Sequence, residues 1–190
     1  MENKKSLNSI SLIIGICLLI ILAVLLLALF SLRTENHLFK VILISDLEFA
    51  EISIDSQRAE GYYDLASLAY EKGDFNSAEQ NCQLARIYFS QEAQGYRRLR
   101  SQLRSYEISH PLIDLYIEEL NEQIKIAENS YEACEHFESA ARHYSNNDYE
   151  EGNAEIEEVN KKIELRDDAV RRYNSLLEDF RIVLSNMIDA

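Results

Sequence analysis

Leu65 to Ala85 reads LASLAYEKGDFNSAEQNCQLA, an apolar-periodic run, a Gly-Asp pair and a second apolar-periodic run. Gly73 is a natural helix stop and Asp74 a natural N-cap, so the stretch predicts a helix, a tight corner and another helix. A related pattern lies 74 residues on, where Ala140 to Val159 reads AARHYSNNDYEEGNAEIEEV. Ala66, Tyr70 and Asp74 recur as Ala140, Tyr144 and Asp148, and Phe75 returns as Tyr149. Between Glu60–Leu103 and Cys134–Leu177, 7 of 44 positions are identical without a gap, including the doublets Arg97-Arg98 and Arg171-Arg172. Turn, phase and doublets agree together, which points to an internal duplication with a period of 74.

The rest of the chain extends these two hairpins. Phe75, Ala78, Cys82, Ala85, Phe89, Tyr96, Leu99, Leu103 and Tyr106, with Glu92 as the one polar member, recur at gaps of three and four, the stripe of helices packed at shallow angles. The single Pro, Pro111, ends that helix and suits the first turn of the next. A third seam runs from Ile113 to Cys134, shifts phase at Phe137 and stops at Ser145-Asn146-Asn147. A fourth runs from Gly152 through Val159, Val170 and Phe180 to Met187. Upstream, Leu47, Ala50, Ile54, Gly61, Leu65 and Leu68 form a stripe of the same kind. The expected helices are 46–72, 74–109, 111–145 and 148–188, an all-α, elongated, antiparallel four-helix domain over 46–190. The two middle helices are each roughly 50 Å long at 1.5 Å per residue, and a corner of one or two residues should fold them antiparallel.

Before that domain come a short tail (1–9), an apolar segment (10–32) and a juxtamembrane stretch (33–45). Ser6 to Leu32 carries no charge, and Ile10 to Leu32 is dominated by Leu and Ile, long enough to span a bilayer as an uncleaved signal anchor. Lys4 and Lys5 place the amino terminus in the cytoplasm and the domain on the other side. The chain carries a net −14, and Val41 to Ala190 holds 15 Lys and Arg against 31 Asp and Glu. Such a field excludes nucleic acid as a partner of the whole surface and favours basic partners.

Tyr62 to Ala85 resembles a tetratricopeptide repeat, with a fainter second copy at His136–Val159. Tyr62 stands where the motif has Trp, Leu65-Ala66 where it has Leu-Gly, and Gly73-Asp74-Phe75 at its turn, with Ala78 and Ala85 at its small packing positions. The spacing of 74 and the long helices depart from the motif's shorter period. The resemblance implies paired helices used for protein–protein contact.

Chemistry-bearing patterns are few. His136 and His143 lie seven apart, but no His-x3-His or Cys-x2-Cys pair, Glu-x-x-His motif of the di-iron bundle kind, Asp-rich calcium loop or Gly-rich phosphate loop is present. No catalytic residue, metal ligand or cofactor site is assigned, and the chain reads as a non-enzyme. Cys82 and Cys134 fall on apolar faces as small buried hydrophobes. Arg97, Arg98, Arg100 and Arg104, joined by Arg171 and Arg172, are a candidate patch for an anionic ligand or acidic partner. They would gather at one level if helices two and four ran side by side. Tyr62, Tyr63 and Tyr70 are candidate groove residues, with core packing, the hydroxyl at the edge, as the favoured use. Glu92 and Arg166 interrupt their seams at the same register and are expected to meet in the core.

Together these patterns read as a membrane-anchored scaffold or adaptor for another protein. The alternative is an extracytoplasmic helical-bundle sensor or small anionic-ligand module. Self-association through Phe180–Met187 is a third route to assembly.

Overall fold

A computed structural model describes the backbone from Glu2 to Ile188 and the side chains of residues 37–186. It contains four helices: α1 (Glu2–Glu71), α2 (Phe75–Ser105), α3 (Pro111–Ser145) and α4 (Tyr149–Ile188). The fold is all-α. The backbone divides into two compact units, Met1–Leu43 and Ile44–Ala190, and the helical domain is the second. Among the described residues no helix is long and apolar enough to cross a membrane, and the expected anchor Ile10–Leu32 lies outside the described side chains. α1 runs unbroken through the β-branched stretch Ile52-Ser53-Ile54.

The first and third corners are the same structure twice. At the first, the Gly73 N–H donates to Tyr70 O (2.9 Å) and the Asp74 N–H to Ala69 O (2.9 Å). At the other, the Asn147 N–H donates to Tyr144 O (3.0 Å) and the Asp148 N–H to His143 O (2.9 Å). Each is a Schellman motif, which satisfies the last helical carbonyls through one left-handed residue. Gly73 takes that conformation at φ 74° and Asn147 at φ 60°. Asparagine is among the few residues with a side chain that tolerate it. Asp74 Oδ1 then accepts from the Ser77 N–H at 3.1 Å and caps α2. The equivalence extends to side chains: the Tyr70 and Phe75 rings meet edge-on, and Tyr144 leans on Tyr149.

The middle corner differs from expectation. α2 stops at Ser105, short of 109, and Tyr106 to His110 form a true loop in place of a one- or two-residue link. Glu107 stands in the left-handed region (φ 51°), and His110 caps α3, its Nδ1 accepting from the Leu112 N–H at 3.2 Å. Pro111 at the first helical position disfavours helix at His110, and the chain unwinds ahead of it.

α2 packs on α3 and α3 on α4. α1 leans on both α2 and α3 through rings: Tyr62 stacks on Tyr88 of α2, while Phe49 and Tyr63 meet Tyr116 and Phe137 of α3. Tyr63 and Tyr70 of α1 pack on Phe137 and Tyr144, the residues 74 positions further on. Equivalent positions of the two hairpins therefore stack on each other. The core follows the expected seams of α2 and α3: Ala78, Cys82, Ala85, Phe89, Tyr96, Leu99 and Leu103 are buried, as are Ile113, Leu120, Ile124, Ala127 and Cys134. Cys82 and Cys134 are both free thiols inside it.

α1 departs from expectation in the face it buries. Its stripe of large residues stays outside: Leu47, Ile54, Leu65 and Leu68 are 66, 48, 50 and 46 % exposed. The buried face is the opposite one, Ser45, Ile52, Ala59 and Ala66, with Phe49, Ser56, Tyr63 and Tyr70 half-buried between them. Those eight positions alternate by four and three, a heptad seam built largely from small residues and rings. Small side chains let backbones approach, and Ile52 shows how closely: a Cβ built on Gly95 of α2 would lie 2.8 Å from Ile52 Cγ1.

Gly95 in mid-helix is disfavoured by about 1 kcal/mol against Ala on helix propensity alone. Gly95→Ala is nonetheless expected to lower stability by about 1–3 kcal/mol, because Ile52 is β-branched and cannot turn away. The double change Ile52→Ala with Gly95→Ala should lose less than the two single changes summed, as read in thermal melts of the full chain in detergent. Strict additivity would show that the two residues do not touch.

Candidate functional site

Three features qualify on chemistry. The first is a cleft of about 690 Å³ along α3, with Arg97 and Arg100 from α2, Lys125 from α3 and Arg172 from α4 in its walls. Only part of the expected arginine patch gathers there. Arg98 faces a separate cleft with Glu48, Glu51 and Asp55, Arg171 pairs with Asp168 on its own helix, and Arg104 lies exposed in the last turn of α2. The gathering expected from α2 beside α4 does not occur in that form, because α3 stands between them. Arg97 and Arg172 reach one cleft across it, so the members brought together are not repeat equivalents.

The cations of this cleft already hold partners. Arg97 pairs with Glu128, Arg100 Nη1 donates to Asn121 Oδ1 at 2.7 Å, and Arg172 Nε donates to Glu122 Oε2 at 2.9 Å. Burial raises the Glu122 pKa, but Lys125 and Arg172 outweigh it and hold the carboxyl below its ordinary range. An anion entering the cleft would have to displace Glu122 or Glu128.

The second feature is a cavity of about 460 Å³ that touches all four helices, with Ser56, Tyr63, Glu92, Ser130 and Arg166 among its walls. Glu92 is buried (1 % exposed), and its Oε2 has no hydrogen-bond partner. Arg166 lines the same cavity yet makes no ion pair with it: the guanidinium is half-exposed and donates to Asp167 Oδ1 at 2.9 Å. The expected buried pair is therefore two residues around one cavity, with only the acid buried. Arg166 keeps solvent and pairs with its chain neighbour Asp167, while Glu92 is enclosed. Burial, aided by Glu60 and Asp55 and opposed by the Ser56 hydroxyl, pushes the Glu92 carboxyl up to about 7. Glu119, also buried with Oε1 unpartnered, is pushed up to about 7 by burial and then by Asp46. In the same surroundings burial raises the Tyr63 phenol to about 12.

The third feature is a carboxylate with three partners that composition alone did not single out. Glu138 on α3 is buried and accepts from Arg86 Nη1 (2.7 Å), Arg142 Nη2 (2.8 Å) and Gln83 Nε2 (3.1 Å). Arg86 also lies over the Tyr131 ring, its carbon 4.8 Å from the centroid, and donates to the Tyr131 hydroxyl at 2.8 Å. The signal in the sequence was an Arg and a Glu just off the seams of α2 and α3; nothing marks which of many such pairs meet.

Tyr62, Tyr63 and Tyr70 are half-buried and all pack against the core cluster that holds Phe137, with Tyr62 also stacked on Tyr88. Phe180, the start of the stretch expected to self-associate, is half-buried with its ring 6.5 Å from that of Tyr116. His136 Nδ1 lies 2.7 Å from Glu155 Oε2 and His143 Nδ1 3.1 Å from Asp148 Oδ2. Among the described residues no group of three or more His, Cys, Asp or Glu is placed to hold a metal ion.

A carboxyl raised from 4.5 to about 7 keeps its proton in the folded chain over a range where the unfolded chain has lost it. The contribution of Glu92 to stability therefore falls as pH rises from about 4.5 to about 7 and levels off above. Glu92→Gln should remove its share of that slope, leaving melts near pH 4.5 unchanged and raising stability at pH 8 by about 2 kcal/mol. An unaltered pH profile would mean that Glu92 is solvated or paired. Comparison of the chain with protein-family models, with curated proteins and with solved structures returns no match.

Proposed function

We propose that this chain is a membrane-anchored helical scaffold that binds another protein, or joins it in a membrane-associated assembly. Its apolar segment Ile10–Leu32 serves as a signal anchor, and the helical domain stands outside the cytoplasm. The observation that carries the reading is the repetition of one Schellman corner at 73–74 and 147–148, with Tyr70 edge-on against its equivalent Tyr144. Helical hairpins that stack through equivalent positions bury a shared core and leave an extended surface. That supports a tetratricopeptide-like scaffold descended from a duplicated hairpin. Surfaces of this kind serve contact.

A second reading, a sensor or binding module for a small anion, is favoured by the cleft that holds Arg97, Arg100, Lys125 and Arg172. The carboxylates already paired there weigh against it.

Cross-linking in membranes with the anchor retained, followed by recovery of the full chain, separates the two. A stoichiometric protein partner is expected, and recovery of the chain alone as a monomer would overturn the scaffold. A saturable rise in melting temperature with inorganic phosphate, lost in Arg172→Gln, would establish the anion module instead.

A further inference from the structure

α1 carries two apolar seams on opposite faces, and the bundle uses only one. The unused seam, Leu47, Ala50, Ile54, Gly61, Leu65 and Leu68, repeats at three, four and seven and keeps its large members about half-exposed or more. At 100° per residue it is centred roughly opposite the buried line Ser45–Ile52–Ala59–Ala66. It extends about 30 Å along the helix and exposes a few hundred Å² of apolar surface, the size at which patches on soluble domains tend to be functional. Ala50 and Gly61 lower the surface at two levels, and a Cβ at Gly61 would meet nothing within 4 Å. A second helix can therefore lie close along it.

Charge identifies the occupant. Between residues 46 and 71 the helix has seven carboxylates and one cation, Arg58. Asp46, Glu60, Asp64 and Glu71 run along one side of the seam, and Glu48, Glu51 and Asp55 along the other. Arg58 reaches Asp55 at 3.5 Å, and Arg98 of α2 faces the second row. A second copy of the chain, parallel or antiparallel, would set carboxylate rows against carboxylate rows, and like charges across such a seam cost stability and fix partner choice. Resting on the scaffold reading, we propose that the outward face of α1, from Leu47 to Leu68, is the docking surface for a cationic amphipathic helix of the partner. Leu- or Ile-like side chains of that helix fill the seam, while Lys and Arg at its flanking positions meet the two acidic rows.

The test uses the full chain in phosphatidylcholine nanodiscs and three labelled heptad peptides. One has a Leu/Ile seam with Lys flanks, the second the same seam with Glu flanks, and the third Lys flanks with Ser in the seam. The first should bind saturably and more weakly as salt rises, and the other two at least tenfold more weakly. Ile54→Glu with Leu65→Glu should reduce binding of the first peptide at least tenfold without changing the melt, since both side chains lie at the surface. Equal binding of the Ser-seam peptide, or indifference to the double change, would overturn the proposal. So would a dimer in sedimentation that the double change dissolves, since the occupant would then be a second copy. If cross-linking recovers the same partner with and without the double change, this surface is wrong and the scaffold stands; if the unaltered chain recovers none, the scaffold itself fails.

Discussion

The close approach of α1 to its neighbours is the constraint on which the rest of this domain depends. Ala59 and Ala66 are fully buried, and Ile52 sits where Gly95 has no side chain. A helix that meets its partners through small residues comes nearer to them, and more backbone and ring surface is then removed from water. The rings of Phe49, Tyr63 and Tyr70 can reach α3 only from that distance. Turning α1 by half a turn would bring Leu47, Ile54, Leu65 and Leu68 inward, but it would hold the helices apart and strip these aromatic contacts. The packed face is thus the one that fits, and the large aliphatic residues are left for another surface.

Polar groups inside the bundle follow two regimes. Glu138 has three donors from α2 and α3, so its burial is matched by charge-assisted hydrogen bonds that fix the two helices against each other. Glu92 has a cavity before it and an unpartnered oxygen, and it answers by holding its proton to higher pH. Both are buried carboxylates on middle helices. The difference lies in whether a cation reaches the carboxylate: Arg86 of α2 and Arg142 of α3 itself reach Glu138, whereas Arg166 pairs with Asp167 and leaves Glu92 without one.

The two outer corners connect these regimes to the proposed role. Each ends a helix with one left-handed residue and restarts the next at an aspartate, and ring pairs at equivalent positions meet across the two hairpins. In the proposed scaffold the exposed apolar seam of α1 lies between two acidic rows.

The amino-acid sequence by itself determined the all-helical class, the corners at Gly73-Asp74 and Asn147-Asp148, and the core seams of α2 and α3. These depend on local periodicity, on residues that stop or cap a helix, and on proline, all of which act within a few positions. It also carried the match of the two halves, because equivalent corners need equivalent residues. Only the tertiary structure decided which seam of α1 turns inward, which arginines share a cleft, and that Glu92 is buried without Arg166. Those outcomes turn on distances between helices far apart in the chain. Two apolar faces on one helix look alike in a periodic pattern until the size of the residues opposite them is known.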